Sequence, residues 1–115
     1  MSASRPRPVP VTLEVSTFQK RPAYRYIRKA DRLPSTDEAF ALGLDAEVKV
    51  KLFNPTGAGT WFITGYDPET RIATGAAHIH EMDIGDFWMG ELVTFRGRFG
   101  LPLERDLGWT PRPLS

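Results

Sequence analysis

The chain has 115 residues, of which 41% are hydrophobic and 11% aromatic, and its formal net charge at pH 7 is +1. This length and apolar content are typical of one globular domain with a single core. Because the chain contains no cysteine, a disulfide framework, a thiolate metal site and a cysteine nucleophile are excluded.

Positive charge is concentrated in the N-terminal third. Residues 1–35 carry eight Lys/Arg against two acidic residues, a net charge of +6, whereas residues 36–115 carry a net charge of −5. Such a split is typical of an arm that meets an acidic partner. That partner is nucleic acid, another protein or the acidic half of the same chain.

The first ten residues place prolines at alternate positions, which favours an extended path. They lack the apolar stretch of a signal peptide, and no apolar run in the chain is long enough to span a bilayer. We therefore predict a cytoplasmic protein that does not associate with membranes. Residues 1–20 are assigned to a basic, proline-rich arm and residues 21–115 to a single α+β domain. Residues 11–15 alternate apolar and polar side chains and predict a short strand within the arm.

The next segment contains one clear helix signal. Residues 23–32 fit a helical face or a strand face equally well, and Leu33-Pro34 ends that element. Ser35 and Glu38 have the spacing of a capping box, so a short helix is predicted to follow. Phe40, Ala41 and Leu44 lie near one face of this helix, and Gly43 ends it.

The remainder has the pattern of an antiparallel β-meander. Residues 47–53 alternate, with Val48, Val50 and Leu52 predicted to point inward. Further strands are predicted at residues 60–66, 71–79 and 101–107, with a short edge strand at 86–89. A short helix is predicted at 90–96, and residues 110–115 form a tail. The predicted fold is a small α+β meander with two or three short helices and an extended N-terminal arm.

Four segments carry a resemblance to an uncharacterised family. They are residues 48–55 (Val-Lys-Val-Lys-Leu-Phe-Asn-Pro), 60–69 (Thr-Trp-Phe-Ile-Thr-Gly-Tyr-Asp-Pro-Glu), 89–92 (Met-Gly-Glu-Leu) and 100–106 (Gly-Leu-Pro-Leu-Glu-Arg-Asp). Over about residues 48–115 the chain resembles domain of unknown function 2958, whose members are common on plasmids, integrative elements and phages. The resemblance implies a mobile-element setting and carries no assigned activity. The chain departs from the family pattern at Gly65, where glutamate is usual, and over residues 84–88, where a Glu-Leu-Gly-Tyr-like stretch is usual.

Two polar clusters are candidate sites. His78 and His80 would share one face of a strand and, with a nearby carboxylate, could bind zinc or iron; the alternative is that they are surface residues at a strand end. Glu104 and Asp106 would share the opposite face from Arg105 and could do acid–base work. The alternative for this pair is a turn cap or an ion pair with Arg96 or Arg98. No cofactor is predicted.

The N-terminal third supplies most of the candidate binding residues. Cations there can contact phosphates and aromatic rings can stack on bases. The alternative is a solvated stretch, or one folded against acidic residues of its own domain or of a dimer mate. Trp88 is added as a candidate partner anchor, with burial in the core as its alternative. The predicted binding residues are Arg5, Arg7, Lys20, Arg21, Tyr24, Arg25, Tyr26, Arg28, Lys29, Trp88, Glu104 and Asp106.

The predicted function is that of an accessory binding protein rather than an enzyme. It would be encoded by a mobile element and inhibit a host defence complex of the anti-CRISPR or antirestriction type by docking on it. The partner would be a host or element protein complex, including one that carries nucleic acid. The alternatives are a small metal-dependent hydrolase or nuclease that uses His78 and His80, and a protein that binds single-stranded nucleic acid.

Overall fold

The computed structural model describes residues 12–17 and 25–115, and it has the predicted α+β architecture. Short one-turn 3-10 segments occupy Lys29–Asp31, Gly43–Asp45 and Arg98–Gly100. The helices and strands follow in the order β1 (Thr12–Glu14), β2 (Ile27–Arg28), α1 (Thr36–Leu42), β3 (Glu47–Val48), β4 (Val50–Phe53), β5 (Thr60–Asp67), β6 (Ile72–His78), β7 (Met82–Trp88), α2 (Met89–Val93), β8 (Glu104–Arg105) and β9 (Arg112–Pro113).

A five-stranded antiparallel sheet forms the centre, in the order β7-β6-β5-β4-β8. The run from β4 to β7 is the predicted meander, because consecutive strands pair with each other. Strand β7 begins four residues earlier than the edge strand expected from the sequence. Asp83, Gly85 and Asp86 disfavour a strand locally, but the full-length register with β6, from His78 opposite Met82 to Ile72 opposite Trp88, supplies the pairing.

The core lies on one face of this sheet. The alternation predicted for β3 and β4 is confirmed, since Val48, Val50 and Leu52 are all buried. Val50 and Leu52 stand beside Ile63 and Trp61 of β5. Helix α2 and the segment around β2 cover this face with Met89, Leu92, Tyr26 and Ile27. Burial of these apolar side chains is the main source of stability for a domain of this size.

Helix α1 packs on the opposite face of the sheet. Ser35 accepts a hydrogen bond from the amide of Glu38, and the Glu38 side chain returns one to the Ser35 amide, so the capping box is confirmed. The helix ends at Gly43, whose φ of 56° is in the left-handed region. Phe40, Ala41 and Leu44, which the sequence places near one face, are all exposed, and Ala39 is the buried residue of the helix.

Ala39 faces the sheet because α1 approaches Gly65 closely. A bulge in β5 leaves Thr64 with no residue directly opposite it in the β6 register, between the Ile63 and Gly65 pairs. A Cβ atom at Gly65 would lie 2.6 Å from the Ala39 Cβ and 2.8 Å from the Ser35 carbonyl oxygen. Only small residues fit this contact, so Ala39 faces the sheet and the larger apolar side chains point outward. The same contact accounts for glycine at position 65.

Both ends of the described chain are paired more closely than the sequence indicates. The predicted tail forms β9, which pairs with β3, and the Leu114 amide donates to the Ala46 carbonyl at 3.0 Å. Residues 12–17, placed in the arm by sequence, pack on the domain: β1 pairs with β2, and the Thr17 amide donates to the Val93 carbonyl at 2.8 Å. None of the helices in the described ranges has the length and hydropathy required to cross a bilayer.

Candidate functional site

Five of the predicted binding residues lie outside the described residues: Arg5, Arg7, Lys20, Arg21 and Tyr24. The other residues predicted from the N-terminal third can be placed. Tyr26 is completely buried, and its hydroxyl donates to the Leu103 carbonyl at 2.6 Å. Burial raises the pKa of Tyr26 to about 12. Its ring belongs to the core, so it cannot stack on a base.

Arg28 and Arg25 lie beside a buried ion pair that the sequence did not reveal. Arg105 donates two hydrogen bonds to Asp31, at 2.8 Å and 2.7 Å, and a third to the Tyr26 carbonyl at 3.1 Å. Arg28 approaches the same carboxylate at 3.9 Å. Arg25 is half-buried, and Lys29 is exposed. Arg28 is therefore paired with Asp31 within the domain.

The predicted pair of carboxylates flanks that buried arginine. Glu104 is half-buried, and Asp106 pairs with Lys51 at 3.4 Å and accepts a hydrogen bond from the Gly108 amide at 2.9 Å. Asp106 therefore caps a turn, as one of the alternatives expected, and its ion-pair partner is Lys51 rather than Arg96 or Arg98. Arg105 is the residue of this cluster that holds a buried ion pair, with Asp31. Alternation predicted that Arg105 points to the face opposite Glu104 and Asp106, but it did not indicate this partner.

His78 and His80 are both exposed at the turn between β6 and β7. Glu81, Asp83 and Asp86, the carboxylates nearest in sequence, are exposed as well. Among the residues that the structure describes, no three His, Cys, Asp or Glu side chains are grouped so that they could hold a metal ion.

A second polar cluster joins β1 to the hairpin between β5 and β6. Glu14 accepts a hydrogen bond from the Tyr66 hydroxyl and pairs with Arg71 at 2.8 Å. Burial and the neighbouring Glu14 carboxylate raise the pKa of Tyr66, and the hydrogen bond to Glu14 raises the pKa of Arg71. Trp88 stands next to this cluster, with the Arg71 guanidinium 5.9 Å from its ring centroid, and is 48% exposed.

The outer face of the sheet carries an exposed apolar groove beside α1. Its floor is a row of side chains from three adjacent strands, Phe62, Ala76 and Ile84, which stand directly opposite one another. Met82 extends the row along β7, and Leu44, Trp109 and Leu114 form the walls of this cavity of about 260 Å³. We call these seven residues the apolar groove.

Trp109 is the most firmly held wall of the apolar groove. Its indole Nε1 donates to the Val48 carbonyl at 2.8 Å, its ring packs 5.9 Å from Phe62, and Arg112 lies 4.1 Å from the ring centroid. The aromatic ring therefore presents a fixed surface to the groove. Trp109 is half-buried.

The groove is continuous with a second apolar depression under α1. Ile84 and Leu114 line both, and Phe40 lines the second, whose volume is about 180 Å³. Ile84 is 59% exposed and Phe40 is 74% exposed. A contiguous set of large exposed apolar side chains is unusual for a surface that meets only water. The sequence missed this site because its residues come from α1 and the 3-10 turn after it, from β5, β6 and β7, and from the C-terminal segment.

The groove reaches the edge of the sheet at β7. Within the described part of the chain, β7 pairs with β6 on one side and with no strand on the other. Asp83 and Asp86 project from this edge and are exposed. Apolar side chains, unpaired backbone groups and negative charge thus occur together along β7.

Comparison with known proteins identifies a family and nothing closer. A family model described as "Protein of unknown function (DUF2958)" matches residues 24–115. No curated protein and no solved structure shows a significant match.

Proposed function

The chain belongs to the DUF2958 family of proteins of unknown function, and on that premise we propose that it is an accessory binding protein that docks on another protein through the apolar groove. The observation that carries this proposal is the open apolar groove, in which Leu44, Met82 and Ile84 are exposed around a floor that includes the half-buried Phe62 and the buried Ala76. Exposed apolar patches of this kind mark interaction surfaces in soluble domains.

The energetics favour a protein partner for this surface. Burial of apolar area contributes roughly 25 cal/mol per Å², so covering several large side chains stabilises a complex by several kcal/mol before the cost of association. The rigid Trp109 wall adds to this, because a side chain already fixed by packing loses little entropy on binding. Ile84 lies at the junction of both depressions and is the expected centre of the contact.

The partner class we propose is a host defence complex of the CRISPR or restriction type, with the chain encoded on a mobile element. The mobile-element setting implied by the family resemblance supports this class, as does the small size of the chain. The cations Arg5, Arg7, Lys20 and Arg21 would then contact an acidic or RNA-bearing surface of the same complex. That contribution to affinity would weaken as salt is added.

The test uses two matched substitutions of exposed leucine-sized residues. Ile84→Asp places a charge in the groove, whereas Leu107→Asp places one outside it, after β8 at the opposite side of the sheet; the two parent residues are 59% and 56% exposed. Purified CRISPR effector and restriction complexes are captured on each tagged variant. We expect wild type and Leu107→Asp to retain the same complex and Ile84→Asp to lose it by about tenfold or more. The proposal fails if none of the complexes binds, or if Ile84→Asp binds as wild type does.

A further inference from the structure

The backbone groups of β7 divide into two sets. The Met89 amide donates to the Arg71 carbonyl at 2.8 Å, in the same register that pairs β6 with β7. Hydrogen bonds in an antiparallel ladder recur at every second residue. The odd-numbered residues of β7 therefore bond to β6, and the amides and carbonyls of Met82, Ile84, Asp86 and Trp88 point to the open edge. This edge is open within the described residues.

Along this edge, the groove face carries two large apolar side chains, and each of the two faces carries one aspartate. Met82 and Ile84 point to the groove face and are 54% and 59% exposed. Asp83 projects from the other face, and Asp86 follows Ile84 on the groove face. From residue 72 to residue 95 the sequence contains acidic residues and no lysine or arginine. A second copy of the chain would bring like charges together at this edge, which disfavours self-pairing.

We propose that β7 is completed by strand addition from the protein partner: an extended segment, in which apolar residues alternate with lysine or arginine, pairs with its open edge. This inference rests on the proposed function and specifies how the partner of the same site docks. Apolar side chains of the added strand continue the floor of the groove past Met82 and Ile84. Its basic side chains meet Asp83 on the opposite face, and Asp86 adds to the attraction.

In strand addition, affinity for the added strand comes mainly from backbone hydrogen bonds, and selectivity for its sequence comes from side-chain contacts. The main-chain hydrogen bonds to Met82, Ile84, Asp86 and Trp88 accept any extended sequence, whereas the alternation of side chains selects one. An acidic or proline-interrupted segment would be rejected, the first by Asp83 and Asp86 and the second by loss of a backbone donor.

The test probes the backbone directly with a capped peptide of about eight alternating valines and arginines, a typical strand length. Amide hydrogen exchange is followed residue by residue by NMR on the full chain. We expect the amides of Met82, Ile84, Asp86 and Trp88 to slow by about tenfold or more on binding, with little change at Asp83, Gly85 and Phe87. A peptide with glutamate in place of arginine should not bind.

Matched variants and peptides sharpen the result. Asp83→Asn with Asp86→Asn should weaken peptide binding by about threefold to tenfold, while Glu69→Gln, an exposed acidic residue in the turn between β5 and β6, should not. In the bound peptide, every second amide would face β7 and the others would face away from it. N-methylation of the amides that face β7 should abolish binding, and N-methylation of the other set should leave binding intact. Only a strand with one bonded edge shows this difference.

Several results would overturn strand addition. One is that the peptide does not bind. A second is that it binds without slowing exchange at the four even-numbered amides. Another is protection that is already present in the free full chain and is lost on deletion of residues 1–11, which would make the N-terminal arm the occupant of the edge. Protection that grows with protein concentration would identify a second copy instead. If partner capture still depends on Ile84 in any of these cases, docking through the groove stands and only its mode is wrong.

Discussion

Arg71 and Glu14, separated by 57 positions, form a two-point ion pair in which Nε donates to Oε2 at 3.0 Å and Nη2 donates to Oε1 at 2.8 Å. The Glu14 side chain is buried, and it also accepts a hydrogen bond from the Tyr66 hydroxyl. Arg71 stands at the hairpin between β5 and β6 with a φ of 61°. The pair fastens the N-terminal strand to the central sheet, so part of the predicted arm is a structural element.

Glu14→Gln should therefore destabilise the domain. The substitution removes the charge from a buried acceptor while leaving its shape, and hydrogen bonds to charged groups contribute about 1.5–3 kcal/mol. Because the Arg71 side chain is 41% exposed, water screens the pair and the lower end of this range is expected. Chemical denaturation gives the free energy of unfolding. Glu69→Gln, exposed in the same hairpin, serves as the control, and equal midpoints for the two variants would contradict the assignment.

The ion pair between Asp31 and Arg105 should be more costly to break. Both side chains are 8% exposed, so Asp31→Ala leaves a buried guanidinium without its counter-charge, at a cost of about 3–5 kcal/mol. The double variant Asp31→Ala with Arg105→Met should lose less than the sum of the single losses, because no unpaired charge remains. A double-mutant cycle by denaturation measures this coupling. Additive losses would show that the two side chains do not interact.

Alkaline pH should unfold the protein through Tyr26. Burial raises the pKa of Tyr26 from 10.0 to about 12, so the folded state favours the neutral phenol more strongly than the unfolded state does. Its contribution to stability is complete below pH 10 and is lost as the pH rises from 10 to 12, with about 1.4 kcal/mol for each pKa unit. The absorbance of tyrosinate and the unfolding midpoint are measured together across this range.

Tyr26→Phe is the control for the alkaline transition. The variant lacks the hydroxyl that donates to the Leu103 carbonyl, so its stability at neutral pH should fall by about 1 kcal/mol. Its stability should also decline less steeply than that of wild type between pH 10 and pH 12. Parallel pH profiles for the two proteins would assign the transition to another group.

Gly65→Ala should destabilise the contact that positions α1 against the sheet. A Cβ there would lie 2.6 Å from the Ala39 Cβ, so the helix must shift, and overpacking of this kind costs about 1–3 kcal/mol. Gly85→Ala on β7 is the matched control, since its Cβ would meet no atom within 4 Å and should change stability by less than about 0.5 kcal/mol. Thermal and chemical denaturation of both variants test this, and similar stabilities would place α1 farther from β5.

Local patterns predicted the elements whose signals lie within a few residues. The capping box of Ser35 and Glu38, the helix end at Gly43 and the inward set Val48, Val50 and Leu52 were all readable because each depends on neighbouring positions. Orientation was less readable. Helical spacing grouped Phe40, Ala41 and Leu44, but the close approach at Gly65 turned α1 so that Ala39 faces the sheet.

Alternation likewise grouped Val15 with the apolar residues of β1, yet Val15 is 44% exposed and Glu14 is buried. The free-energy cost of burying a carboxylate is low only when a cation and hydrogen-bond donors contact it in the folded state. Those partners, Tyr66 and Arg71, are too distant in sequence for any local pattern to reveal. The same reason applies to Tyr26. Its neighbours in sequence are arginines and lysines, but in the fold its hydroxyl donates to the Leu103 carbonyl.

The sequence by itself determined the fold class, the family, the strand and helix signals and the absence of any chemistry that requires cysteine. These properties depend on composition and short-range spacing, which folding leaves unchanged. The tertiary structure decided which charges are paired, how α1 faces the sheet, that residues 112–113 form a strand, and that side chains from five segments meet in the apolar groove. Each of these depends on contacts between residues that are distant in sequence. Such contacts stabilise the protein only after the chain has folded and the entropy cost of bringing their ends together has been met.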